Sequence, residues 1–94
     1  MSAPEETEEA RYKRLLMRAS RRGIKEMDII LGRFASARLR ELDGAEIDSF
    51  DALLWENDQD LYAWVTGQSP TPDAFQPIIA KIAVYVGAER PKRL

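Results

Sequence analysis

Apolar residues recur along this chain at spacings of three and four, the period of one helix face. Tyr12, Leu15, Leu16 and Ala19 form the first stripe, on a strongly basic helix expected over residues 8–21. Gly23 follows where a helix C-cap needs a positive φ, flanked by the cations that a helix C-terminus favours. A second helix is expected from near Ile24, with Glu26 and Asp28 in its first turn and Met27, Ile30, Leu31 and Phe34 on one face. Gly32 weakens that helix by about 1 kcal/mol relative to alanine, which a close helix–helix approach would explain. Asp43-Gly44 is expected to end it.

Asp48 or Ser49 can cap a third helix whose inner face is Phe50, Leu53 and Leu54. Asn57 and Asp58 break it and start a short fourth helix with Leu61, Trp64 and Val65 inward. Gly67, Pro70 and Pro72 form a connection, and the last helix runs from about Ala74 to Val86 on a stripe of Ile78, Ile79, Ile82, Tyr85 and Val86. Pro77 fits that helix only within its first turn, where its missing N–H costs nothing. Gly87 is expected to stop it. There is no sustained alternation and no Asn-Gly hairpin signal, so no sheet is expected. The pattern predicts an all-α fold, a compact five-helix bundle over residues 8–88. Residues 1–7 are expected to be a disordered acidic N-terminus and residues 89–94 a flexible C-terminal tail.

The 94 residues allow one domain, and a chain of this size hides roughly two-thirds of its unfolded surface. It contains neither histidine nor cysteine. That removes disulfides, thiolate nucleophiles, the usual zinc sites and every histidine-based triad. No apolar run approaches the roughly 20 residues that cross a bilayer. Glu5, Glu6, Glu8 and Glu9 are the opposite of what a secretory or transit segment carries, so a cytoplasmic, bacterial protein is expected.

Charge sharpens the picture because it is unevenly placed. Residues 11–25 carry +7, from Arg11, Lys13, Arg14, Arg18, Arg21, Arg22 and Lys25, whereas residues 44–63 carry −6. One basic helix and one acidic stretch suit oriented docking on a charged partner. Pairing of the two stretches with each other is the competing explanation.

Candidate chemistry is sparse. No G-x-G-x-x-G and no G-x-x-x-x-G-K-[ST] occurs. Asp58 and Asp60 could together hold a metal ion, but helix capping and dipole pairing account for them better. No serine has a base nearby in sequence. No catalytic residue, no metal site and no cofactor-binding residue is therefore expected. The aromatic residues stand at core-like spacing except Trp55, which follows the stripe poorly and is expected to be partly exposed. Arg21-Arg22-Gly23-Ile24-Lys25-Glu26 remains, a helix end, a turn and a helix start in which Arg22 and Glu26 could pair.

Those residues carry a resemblance. Arg22, Gly23 and Glu26 match an R-G-x-x-E turn, and Glu26 to Phe34 looks like the helix that follows it in the succinate dehydrogenase assembly factors that promote flavinylation. Phe50, Leu53, Leu54 and then Asp58-x-Asp60-Leu61-Tyr62-x-Trp64 resemble the family's next block, so the match spans about residues 10–86. Ile24 departs from the methionine that members often carry.

The resemblance implies a non-catalytic maturation factor. Its partner would be the flavoprotein subunit of succinate dehydrogenase, or in some bacteria that of fumarate reductase. It would promote covalent attachment of FAD to a histidine of that client. It would bind no cofactor stably itself, the FAD belonging to the client, and would be a monomer when free. On this reading Arg22, Gly23 and Glu26 present the turn to the client, while Arg14, Arg18, Asp58 and Asp60 set orientation. Gly23→Arg would then abolish function and leave the bundle folded. The alternative is a small helical nucleic-acid-binding protein using the basic segment 11–25, against which the sequence pI of about 5.2 weighs.

Overall fold

A computed structural model of the chain describes residues 6–89, with side chains to Gly87. The expected disorder at residues 1–5 and 90–94 lies outside the described residues. Within them run α1 (Glu8–Ala19), α2 (Lys25–Arg38), α3 (Gly44–Leu53), α4 (Asp58–Thr66) and α5 (Gln76–Glu89). Short 3₁₀ turns at Leu39–Glu41 and Asp73–Phe75 lead into α3 and α5. No strand occurs among the described residues, so the fold is the five-helix, all-α arrangement that the stripes predict.

The core forms where those stripes meet. Leu15 and Ala19 of α1 lie against Met27, Leu31 and Phe34 of α2, and α2 also packs on α4 and α5. Phe34 is the hinge of the aromatic packing, with ring centroids 5.7 Å from Phe50 and 5.9 Å from Tyr85. Burying side chains of this size contributes about 1.5–3 kcal/mol each, which makes packing the dominant source of helix stability here. Gly32 has the close approach expected of it: a Cβ there would sit 3.2 Å from Ser20 Oγ and 3.6 Å from Ser20 Cα. Pro77 is the second residue of α5 and so lies in its first turn.

Helix ends differ from the sequence expectation in several places, each with a local cause. Asp43-Gly44 does not end the second helix but begins the third. Asp43 Oδ1 accepts the Glu46 N–H at 2.8 Å while Glu46 Oε1 accepts the Asp43 N–H at 2.9 Å, a complete capping box. Asp48 and Ser49, the expected caps, are therefore inside α3. Gly23 is not a left-handed cap either: α1 ends at Ala19, and Gly67 is the glycine with positive φ, at 80°. At Gly67 the Gln68 N–H reaches Ala63 O at 2.8 Å, the closing bond of a Schellman motif. Gly87 does not stop α5, which continues to Glu89. Thr7, expected in the disordered segment, caps α1 by accepting the Ala10 N–H at 3.0 Å.

Asp43→Ala is expected to cost about 1 kcal/mol in urea unfolding. Ser49→Ala should change stability by less than about 0.5 kcal/mol. Equal losses at both positions would mean that the cap does not lie where the hydrogen bonds place it.

Candidate functional site

The connector between α1 and α2 is held down by charge. Arg22 Nε donates to Asp58 Oδ1 at 2.7 Å, Nη1 to the Leu54 carbonyl at 2.8 Å and Nη2 to the Glu56 carbonyl at 3.0 Å. The two side chains of the ion pair keep only 9% and 14% of their exposure, so this is close to a buried pair. A guanidinium suits the position because its rigid fork reaches three acceptors that one ammonium could not. The acceptors belong to the end of α3 and the loop before α4, where backbone carbonyls have no partner within a helix.

Gly23 completes the arrangement. Its N–H donates to Asp58 Oδ2, and the Arg22 N–H donates to Asp28 Oδ1 in the first turn of α2. A Cβ on Gly23 would lie 2.9 Å from Asp58 Oδ2. Glycine is therefore favoured here by close approach and not by φ. This changes the expectation for Gly23→Arg, since a larger residue must displace the carboxylate that anchors the turn. The expected Arg22–Glu26 pair does not form: Arg22 is turned toward Asp58, and Glu26 is exposed.

The other candidate residues divide in the same way. Arg18 joins the cluster, with Nη2 3.4 Å from the Leu54 carbonyl and its guanidinium 4.2 Å from the centroid of the Trp55 ring. Trp55 itself is 72% exposed, more than the sequence implied. Arg14 lies apart, donating to Asp51 at 2.8 Å and to Glu6 at 2.8 Å, while Arg11 donates to Asp48 at 2.8 Å. Glu6, expected in the disordered segment, is thus tied to α1. Asp60 is exposed in the first turn of α4, where a carboxylate interacts well with the helix dipole. Of the seven candidates, Arg14, Arg18, Arg22, Gly23 and Asp58 make contacts within the chain, and Glu26 and Asp60 face outward.

Beside Glu26 the surface is concave. A hollow of about 490 Å³ between α2, α4 and α5 is lined by Ile29, Ile30, Tyr62, Val65 and Val86 as well as Glu26. A second of about 380 Å³, lined by Ile24, Gln59 and Gln68, shares Glu26 and Tyr62 with it. Sequence periodicity missed this groove because Ile30, Tyr62 and Val86 were assigned to the core, and they are only partly buried. Among the described residues no group of three or more carboxylates is arranged to hold a metal ion. No described helix is long and apolar enough to cross a membrane.

The Arg14 hydrogen bond is the main cause that holds the Asp51 carboxyl below its ordinary pKa. A depressed carboxylate contributes stability that is present above its unfolded pKa and is lost as pH falls through its folded value. Asp51→Asn should therefore be less stable than wild type by about 1 kcal/mol at pH 7. That deficit should shrink as pH falls below about 4, as followed by thermal unfolding across a pH series. Arg22→Ala should cost about 3 kcal/mol, because it takes the counter-charge from the nearly buried Asp58 carboxylate and the donor from the Glu56 carbonyl. Arg22→Lys should recover only part of that loss in the same denaturation assay.

Residues 13–86 match the protein family described as flavinator of succinate dehydrogenase. The chain is 42% identical over 74 residues to succinate dehydrogenase assembly factor 2, mitochondrial, of Scheffersomyces stipitis, covering 76% of this chain and 50% of that protein. It is 35% identical over 81 residues to succinate dehydrogenase assembly factor 2-A, mitochondrial, of Drosophila mojavensis, covering 84% of this chain and 52% of that one. The chain thus spans about half the length of the curated relatives it matches. Both relatives are named as mitochondrial, so the bacterial, cytoplasmic setting expected from residues 1–10 finds no support among them.

Proposed function

The chain belongs to the family of flavinators of succinate dehydrogenase, and from that premise we propose that it binds the enzyme's flavoprotein subunit and promotes covalent attachment of FAD. The observation that carries the reading is the division of labour in the turn. Arg22 and Gly23 are clamped to Asp58, while Glu26, one helical turn further on, is exposed with no ion-pair partner among the described residues. A carboxylate on a rigid mount is pre-organised for a partner, because little freedom is lost when it docks.

The factor itself performs no covalent step. On this reading the flavin linkage forms on the client, whose FAD the factor does not hold stably, and a chain without histidine or cysteine is compatible with that. Binding favours the client conformation that reacts with FAD, in proportion to the factor's preference for that state. The flavoprotein of fumarate reductase is a second client of the same kind. The free factor is a monomer on this reading, and its compartment is that of its client.

Nucleic-acid binding through residues 11–25 is the weaker reading. Arg11, Arg14 and Arg22 are already occupied by Asp48, Asp51 and Asp58, which leaves fewer cations to release counterions from phosphates.

Reconstitution with the unflavinylated subunit and free FAD tests the proposal, with covalent flavin read as fluorescence in a denaturing gel. Wild type should raise incorporation, and Glu26→Ala should lower the stimulation by about tenfold with an unchanged unfolding midpoint. Wild type without effect would overturn this assignment, and Glu26→Ala as active as wild type would overturn the role given to Glu26.

A further inference from the structure

We propose that the groove between α2, α4 and α5 receives an aliphatic segment of the client that carries a lysine or arginine, the cation seating against Glu26. The inference rests on the function proposed above and names the chemistry of what is bound. Its two hollows, of about 490 and 380 Å³, share Glu26 and Tyr62 and so lie side by side around that carboxylate. Among the described residues, Glu26 is the charged residue lining both, and no basic residue lines either.

Charge complementarity selects the occupant. A carboxylate at the rim of an apolar cleft is matched by a cation whose neighbours are apolar, since any other charge there is repelled or left unpaired. The walls supply the rest of the fit. Ile29 is 44% exposed although it projects from α2, the helix that packs on α1, α4 and α5. Ile30, Tyr62 and Val86 are partly buried against the core, which leaves an apolar surface held in place from behind. The polar end of the cleft, at Gln59 and Gln68, offers hydrogen-bonding groups where a bound segment would leave the groove.

Affinity for the purified unflavinylated flavoprotein subunit provides the test, measured at low and moderate salt. Ile29→Gln alters an exposed residue and should leave the unfolding midpoint unchanged while weakening binding by about tenfold. Glu26→Gln should weaken binding and flatten its salt dependence, because the ion pair is what salt screens. Val84→Gln, at another exposed aliphatic outside the groove, should bind as wild type does. Wild-type binding that neither Ile29→Gln nor Glu26→Gln alters would overturn the groove while leaving the proposed function standing. Wild type that fails to bind the subunit at all would overturn both. Ile29→Gln that changes self-association in sedimentation, with client affinity intact, would make the groove a contact between copies and would also overturn it.

Discussion

An arginine side chain withdrawn from water must find acceptors for its N–H groups, and at Arg22 they come from residues 32 to 36 positions further along the chain. That constraint organises the structure around it. It brings the α1–α2 connector onto the loop between α3 and α4, and Asp58 then serves both the Arg22 guanidinium and the Gly23 N–H. The connector cannot relax away without stranding the Asp58 carboxylate and the Glu56 carbonyl together, which is the costly direction for a nearly buried pair. Since α2 contacts three other helices, a fixed start for α2 also fixes the surface those helices share.

The same constraint explains how the chain divides its charges. The basic segment and the acidic stretch look like two docking surfaces in linear sequence, yet Arg11, Arg14 and Arg22 meet Asp48, Asp51 and Asp58 across the α1–α3–α4 side. Internal pairing and partner recognition were alternatives for the segment as a whole, and the structure shows internal pairing at these three arginines. The exposed pairs contribute little stability individually. The Arg22–Asp58 pair differs because it is nearly out of water and is supported by carbonyl acceptors on the same guanidinium.

A motif that reads as one functional unit is therefore two physical ones. Arg22 and Gly23 build the mount, and Glu26 is what the mount displays. Loss of function at any of these positions would look alike in an activity assay. On the proposed function the routes differ: collapse of a connector at Arg22 or Gly23, and loss of a client contact at Glu26. Stability measurements distinguish them where activity does not.

Helix existence, the number of helices and most of the core were legible in the sequence, because Leu15, Met27, Leu31, Phe34, Phe50, Leu61, Ile78 and Ile82 all stand at helical spacing and all are buried. The family was legible too, and the match over residues 13–86 agrees with it. What periodicity could not determine was where helices end and what the polar residues bind. Asp43 and Ser49 are both good caps by residue type, and only the position of Glu46 relative to Asp43 decides between them. Gly23 looked like a left-handed cap until its neighbour was known to be the Asp58 carboxylate. Local sequence determines which face of each helix is apolar, because that face recurs every few residues. Only the tertiary structure decides which carboxylate an arginine reaches, because its acceptors lie more than thirty residues away and are brought near by packing alone.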